Sequence, residues 1–259
     1  MFIRIYRISL LFFFFALLSA CVTTTTGAAP PPNPEKAFSA HLSLGLTYIQ
    51  KDNREASRRH LEKALSLQPN SAAAHNGLGM LYQLTGEIGL AEKSFLRALK
   101  EYPAFSQGNV SYGRFLFEQE RYEQSYTYFE KATQDVYFEQ RAVALTYLAQ
   151  TALKLSLTLK AKALFEQSSN IDNTLALPLI ELSELYLDEK DYANSKVYLD
   201  RYVDLVGRTA KSLWIGIRIE RVFGNKDNEA SYVLALRNLH PYSQQYLEYK
   251  KALKNNNDS

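Results

Sequence analysis

The sequence predicts an all-α protein built from repeated pairs of helices. The first observation is a set of six residues that recurs at a constant displacement of 34 residues. The second is that the chain has only 11 glycines and 8 prolines, which argues against an architecture of strands and tight turns. The third is a content of 46% hydrophobic residues, including 18 tyrosines, which is enough to fill a sizeable core. The recurring residues are Leu44, Gly45, Tyr48, Leu61, Ala64 and Pro69, which return as Leu78, Gly79, Tyr82, Phe95, Ala98 and Pro103.

This period, with these residue types, resembles the tetratricopeptide repeat, a helix-turn-helix unit. In that repeat the glycine lets the paired helices approach closely, the tyrosine fills the layer below, and the proline ends the second helix. The resemblance implies a right-handed superhelix whose concave inner face is the place where partners bind. It assigns structural roles to Gly45, Tyr48, Pro69, Gly79, Tyr82, Pro103 and Gly113.

Further copies of the pattern follow and become weaker toward the C-terminus. Tyr112 and Gly113 belong to a third copy, and Leu148 and Ala149 to a fourth that is displaced by 36 residues. Trp214 belongs to the sixth and weakest copy. We therefore expect about six repeats, over residues 38–71, 72–105, 106–141, 142–175, 176–209 and 211–244, within a repeat domain of residues 37–254.

Residues 1–20 have the layout of a bacterial export signal. Arg4 and Arg7 form a basic start, and Ile8–Ala20 is an apolar stretch that ends in small residues before Cys21. This order resembles the lipoprotein processing box, which implies cleavage before Cys21 and acylation of its thiol and its new amine. A transmembrane anchor is the alternative, but the stretch is shorter than the ~20 apolar residues that cross a bilayer.

Residues 21–36 are predicted to form a linker between the lipid and the repeats. They contain a run of threonines and four prolines, and such a segment cannot bury enough apolar surface to fold. At the other end, residues 255–259 form a polar tail that we expect to fray. By similarity to other lipoproteins, Val22 implies sorting to the outer membrane, with the repeat domain in the periplasm.

Composition also excludes several classes of function. Without residues 1–20, the 30 basic residues lose Arg4 and Arg7 and become 28, against 27 acidic ones, so no basic stripe predicts nucleic-acid binding. The only cysteine is Cys21, which excludes disulfides and cysteine metal sites. The four histidines lack metal-ligand spacing, and no catalytic triad or phosphate loop can be placed. We therefore expect no enzyme, metal, cofactor or small-molecule substrate.

Candidate binding residues lie off the packing positions of the repeats. Leu42, Leu46 and Ile49 form a second apolar stripe at i, i+4 and i+7 of the first helix. By similarity to other repeats of this kind, the stripe faces the concave groove, and Met80 and Leu84 continue it. Such a groove suits an amphipathic helix or an extended apolar peptide of a protein client. The sequence leaves open whether the stripe is an open groove or core covered by a neighbouring segment.

Two polar residues, Asn76 and Arg114, also fall at groove positions. Chaperone-binding relatives hold a terminal carboxylate there with several Lys, Arg and Asn residues, and this chain lacks that set. If the apolar stripe of Leu42, Leu46 and Ile49 is covered core, the segment that covers it is Ala37–Ser39 or the linker. A second open question concerns six aromatic residues, which form either an interface hot spot or the core between two repeats. They are Tyr122, Tyr126, Tyr128, Phe129, Tyr137 and Phe138.

The export signal, the linker, the repeats and a C-terminal segment together resemble the type IV pilus biogenesis and stability lipoprotein family. The segment includes Leu213, Trp214, Gly224 and Asn225 and ends near Pro241. The resemblance implies a pilotin, which binds the pilus secretin subunit, carries it to the outer membrane and supports assembly of the secretin ring. Because the repeats alone specify no partner, a general periplasmic adaptor for another envelope complex is the alternative interpretation.

Overall fold

A computed structural model of the chain describes residues 33–257, and the side chains of residues 33–254. This part of the chain folds into thirteen α-helices and contains no strand, as the sequence predicts. The helices are α1 (Pro34–Gln50), α2 (Arg54–Leu67), α3 (Ala72–Thr85), α4 (Ile88–Glu101), α5 (Ser106–Glu118), α6 (Tyr122–Thr133), α7 (Arg141–Lys154), α8 (Thr158–Ile171), α9 (Ala176–Asp188), α10 (Tyr192–Val206), α11 (Ala210–Val222), α12 (Lys226–Leu239) and α13 (Gln244–Asn257).

Helices α1 to α12 form six consecutive pairs, and each helix packs most extensively on its partner in the pair. The second helix of each pair also packs on the first helix of the next pair. In addition, α1 contacts α3, and α3 contacts α5, so the first helices form a wall of their own. The result is the stacked solenoid expected for repeats that bury their apolar faces only on their neighbours.

The two helices of a pair approach closely at the conserved small position of the repeat. A Cβ atom on Gly79 would lie 2.6 Å from Cδ1 of Phe95, and one on Gly113 would lie 2.8 Å from Cε1 of Phe129. Gly45 is similarly close to α2, because its Cβ would lie 2.7 Å from a leucine side chain. At these distances a larger residue would force the facing core side chain to move.

Some pairs carry serine on the second helix at this crossing, where other copies of the repeat carry alanine. The hydroxyl of Ser57 donates a hydrogen bond to the carbonyl oxygen of Gly45 at 2.9 Å. In the fifth pair, Ser183 and Ser195 each donate to the other's carbonyl oxygen, at 2.9 and 2.7 Å. These buried hydroxyls are therefore satisfied, so serine fits the crossing electrostatically as well as sterically.

One large side chain fills the core at an equivalent position of the second helix in each of the first five repeats. Each is almost completely buried, with at most 1% exposure. The residues are Leu61, Phe95, Phe129, Phe165 and Leu199. Their equivalence shows that the sequence period of the later repeats continues in the packing, although their helix-crossing glycines are lost.

The turn inside each pair contains one residue with a left-handed backbone. At Gly86 φ is +78°, and at Glu120 it is +57°. An L-residue in this conformation costs roughly 1–2 kcal/mol, so the packing of the helices imposes it. The six residues are spaced by 34 or 36 along the chain: Asp52, Gly86, Glu120, Ser156, Lys190 and Gly224. The sixth pair thus shares the turn of the other five, although its sequence pattern is the weakest.

The structure changes the boundaries at both ends of the repeat domain. Helix α1 begins at Pro34, with the side chain of Asn33 accepting two backbone N–H groups, so residues 34–36 belong to the helix and not to the linker. At the other end, α13 includes Asn255–Asn257, which we expected to fray. The repeat pattern did not indicate α13 as a separate helix, because this helix follows the last recognisable repeat.

Helix α13 covers the end of the solenoid. It packs on α11, and Tyr249 meets the ring of Trp214 at 6.3 Å between centroids. It therefore takes the place that the next repeat would occupy. The export signal, Cys21 and the linker up to residue 32 lie outside the described residues. Within the described part, no helix is long and apolar enough to cross a membrane.

Candidate partner-binding groove

A groove with a volume of about 440 Å³ lies on the wall formed by the first helices of pairs one, two and three. Helix α1 contributes one residue, α3 contributes three, and α5 contributes four. These residues are Ile49, Met80, Gln83, Leu84, Gln107, Ser111, Arg114 and Glu118. The groove spans three repeats because equivalent faces of stacked first helices lie side by side.

Four of the seven predicted groove residues line this groove, on three different helices. Ile49, Met80 and Leu84 provide its apolar part, and Arg114 provides a cation on the other side. Leu84 is 43% exposed, so much of its side chain is open to a ligand. Ala37–Ser39 continue α1 and do not fold back over the stripe.

The structure places the other three predicted residues in packing positions. Leu42 packs against the core cluster around Leu61. Leu46 lies between α1 and α3, since its Cδ2 would be 3.1 Å from a Cβ on Gly77. Asn76 is only 4% exposed. The apolar stripe is therefore half-buried along its whole length, and only Ile49, which also packs on the cluster around Leu61, reaches the groove.

Asn76 lies directly behind the groove. Its Nδ2 is 3.7 Å from the sulfur of Met80, and its Oδ1 is buried without a hydrogen-bond partner in the described structure. A buried polar atom without a partner costs roughly 1–3 kcal/mol. The Asn76 amide thus contacts the groove through Met80 and keeps one buried acceptor without a partner in the described structure.

Sequence reasoning missed four of the five polar residues of the groove, and two of these four, Gln83 and Glu118, are hydrogen-bonded to each other. Gln83 donates a hydrogen bond to the carboxylate of Glu118 at 2.6 Å. The guanidinium of Arg114 lies 5.3 Å from the centre of the Tyr147 ring and forms no ion pair within the described residues. Arg114 is thus a cation without an ion-pair partner among the described residues, in a groove lined by three apolar and five polar side chains.

The aromatic residues of the third repeat are mainly core. Phe129 is fully buried, and Tyr126 and Phe138 pack on the same cluster. Tyr137 is different, because it is 93% exposed beside an exposed Val136. The insertion after the third repeat therefore places one aromatic residue in solvent and leaves the others as packing between repeats.

Two histidines from different helices meet at the N-terminal end of the solenoid. Nδ1 of His41 and Nδ1 of His60 are 2.9 Å apart, and His60 stacks on Tyr48 with 5.5 Å between ring centres. Partial burial, then the nearby His41, lower the pKa of His60. The spacing of the two residues is unrelated to the repeat, so the sequence did not indicate this pair. Among the described residues, no group of three or more His, Cys, Asp or Glu side chains is placed to hold a metal ion.

A solenoid of helix pairs with an open groove on its inner wall defines a tetratricopeptide-repeat protein, a class of scaffold that binds other proteins. The tetratricopeptide repeat family model matches residues 42–104, which cover most of the first two pairs. The chain is 33% identical over 216 residues to the type IV pilus assembly protein PilF of Pseudomonas aeruginosa, and the match covers 83% of this chain and 86% of PilF. It therefore belongs to the PilF family of type IV pilus biogenesis proteins.

Solved structures of two pilus proteins have the same fold. A structure of P. aeruginosa PilF superposes with a TM-score of 0.80 at 33% identity, over 85% of this chain and 99% of PilF. PilW, described as a widely conserved type IV pilus biogenesis factor, superposes with a TM-score of 0.69 at 22% identity. That match covers 83% of this chain and 98% of PilW. At that identity, the likeness to PilW is one of fold.

Proposed function

We propose that this protein is a lipid-anchored scaffold of the outer membrane that binds the type IV pilus secretin in its groove and delivers it for assembly. It would be a pilotin, acting by binding and not by catalysis. The observation that carries the proposal is the open groove on α1, α3 and α5, in a chain that belongs to a pilus biogenesis family.

The groove suits a short apolar segment of a protein client. Ile49, Met80 and Leu84 offer an apolar row to side chains on one face of that segment. Arg114 lies at the polar edge and can receive a carboxylate of the client. The proposed client segment is therefore apolar with an acidic residue at one end.

The proposed lipid anchor determines the membrane to which the protein and its client are delivered. Burial of an acyl chain contributes about 0.8 kcal/mol per methylene, and two or three chains hold a protein on a membrane stably. Acylation of Cys21 would thus tether the groove to the membrane in which the secretin ring must assemble. Val22 after the cysteine supports the outer membrane as that address.

The groove is tested by capture of the secretin from membranes with the full chain. Leu84→Glu places a charge in the apolar row, so we expect at least tenfold less captured secretin, a loss of about 1.4 kcal/mol. Leu205→Glu is the matched control, because Leu205 lies on α10 away from the groove and is 45% exposed, close to the 43% of Leu84. Equal capture by both variants would refute the groove as the binding site. A dominant captured protein other than the secretin would favour the general adaptor.

The anchor is tested by Cys21→Ser. We expect the helix content and the affinity for the secretin to be unchanged, and the protein to be absent from the outer-membrane fraction. Secretin monomers should then accumulate in the inner membrane, and multimers should be lost. Normal multimers at normal abundance in a deletion strain would contradict the pilotin role itself.

A further inference from the structure

The outer face of the first two helix pairs carries the same shallow pocket twice. One, of about 530 Å³, lies on α1 and α2, and the other, of about 500 Å³, lies on α3 and α4. All six lining positions of the first pocket recur in the second at the repeat distance of 34 residues, and three of them keep a residue of the same chemical type. His41 corresponds to His75, Arg59 to Lys93, and Lys63 to Arg97. The two pockets are thus one surface feature repeated, and they lie on the side of the second helices, away from the groove.

The basic residues of these pockets form a surface that we call the basic face: Arg59, Lys63, Lys93, Arg97 and Lys100. All five are exposed. Arg97 pairs with Glu101 at 2.8 Å, whereas the other four form no ion pair within the described structure. Glu62 is the only acidic residue lining either pocket. The basic face therefore has unneutralised positive charge in a chain that is almost neutral as a whole.

Apolar side chains lie between these cations. Leu78 and Tyr82 line the second pocket, and Leu90 and Leu96 at its rim are 45% and 44% exposed. Long basic side chains that surround exposed leucines can extend their charged ends outward while their stems cover apolar surface. This combination is typical of a surface that meets a lipid interface, where apolar residues enter and cations remain at the phosphates.

The basic face is confined to the N-terminal end of the solenoid. The positions of Arg59 and Lys63 are occupied in the third repeat by Thr127 and Lys131, and in the fourth repeat by an alanine and a glutamine. The end with the basic face is the end nearest Cys21. Only 11 residues lie between Cys21 and Asn33, and these 12 residue steps span at most about 40 Å when fully extended. A lipid on Cys21 would therefore hold this face close to the bilayer.

We propose that the basic face is a second membrane contact, which binds the phosphate headgroups of anionic phospholipids while Leu90 and Leu96 enter the interface. The proposal rests on the proposed anchor at Cys21. Contact on the side of α2 and α4 leaves the groove on α1, α3 and α5 open to a client in the periplasm. The ligand in this proposal is a surface of phosphate groups. We take lipid as its source because the basic face lies near the proposed anchor and carries exposed leucines.

The test uses the full chain reconstituted into vesicles of phosphatidylcholine, with or without phosphatidylglycerol, whose acyl chains are brominated to quench fluorescence. Ser66→Cys places a fluorophore in the first pocket, and Gln167→Cys places the control fluorophore on an exposed site of the fourth repeat. We expect quenching only for the Ser66 position, only with phosphatidylglycerol, and only at low salt, because salt screens exposed charges. Equal quenching with and without phosphatidylglycerol would overturn the proposal.

Charge variants test the contribution of the basic face itself. Lys93→Gln with Lys100→Gln should weaken the contact about 30-fold, because each basic residue near an anionic surface contributes about fivefold. Lys251→Gln with Lys254→Gln removes the same charge from exposed residues at the far end and should change nothing. Unchanged quenching in the Lys93→Gln, Lys100→Gln variant would refute the basic face as a lipid contact. If the parent chain bound polyglutamate in place of lipid, the basic face would instead be a site for an acidic protein segment.

A last control separates this proposal from the proposed anchor. The parent chain has no cysteine other than Cys21, so labelling of the parent chain reports a free Cys21 and an absent lipid. A parent chain that resists labelling, combined with no quenching at the Ser66 position, would show that the anchor exists and that the basic face does not contact lipid.

Discussion

Gly79→Ala tests the close crossing of α3 and α4, which positions the groove residues on α3. The added Cβ would lie 2.6, 2.7 and 2.9 Å from three ring atoms of Phe95. Phe95 is fully buried, and its ring already contacts those of Tyr112 and Phe115, at 5.9 and 5.6 Å between centroids. The ring therefore has no free space into which it can move, and the helices must separate.

The size of the effect follows from two opposing contributions. Overpacking a core typically costs about 1–3 kcal/mol, whereas alanine favours a helix over glycine by about 1 kcal/mol. Because three ring atoms would lie under 3 Å from the new Cβ, we take the overpacking cost as about 2–3 kcal/mol. We therefore expect Gly79→Ala to destabilise the fold by about 1–2 kcal/mol, which lowers Tm by roughly 2–8 °C in a domain of this size. Thermal unfolding followed by circular dichroism measures the change.

A double-mutant cycle with Phe95→Leu isolates the steric cause. Phe95→Leu removes the ring, so we expect Gly79→Ala to be neutral or stabilising in that background. Gly89→Ala is the matched control, because nothing lies within 4 Å of its Cβ position, and it should not lower Tm. An equal loss of Tm from Gly79→Ala in both backgrounds would refute the steric explanation.

Three further predictions concern the turns, the histidine pair and the loop after the third repeat. Gly86→Ala should cost about 1–2 kcal/mol, because φ is +78° and the site is sterically open; an unchanged Tm would show that the turn relaxes. Because the pKa of His60 is lowered in the folded protein, the unfolded chain binds a proton more readily below pH 6.5, and stability should fall as pH decreases through that value. His60→Gln should reduce this fall. An identical pH dependence of Tm in both proteins would contradict the prediction. Tyr137→Ser should leave Tm unchanged, since Tyr137 is 93% exposed, whereas Phe138→Ser should cost about 1–3 kcal/mol of apolar burial; equal effects of the two substitutions would show that the loop is not held as described.

Much of the fold could be predicted because the residues that pack together within a repeat lie close to one another in the sequence. Gly79 and Phe95 are only 16 residues apart, and the same contact recurs in the next pair between Gly113 and Phe129. The period also placed the sixth pair correctly in register, as the left-handed turn at Gly224 shows. Helix α13 could not be predicted in this way, because it is not a repeat and is stabilised by contact with α11.

The groove was predictable only in part. Ile49 and Leu42 belong to the same stripe and both pack on the core cluster around Leu61, yet only Ile49 also lines the groove. Periodicity identifies the face of a helix on which a residue lies, but not how far along that face the next helix covers it. The hydrogen bond between Gln83 and Glu118 could likewise not be predicted from the sequence, since it joins residues on different repeats.

The sequence by itself determined the helical repeat, the number of pairs and the residues at the close crossings, because each of these depends on contacts within about 34 residues. Only the tertiary structure decided which surfaces stay open. The groove and the basic face both arise from side chains on helices of different repeats, which become neighbours only when the pairs stack. Exposure and charge on such surfaces are properties of the stacked array, and no single repeat contains them.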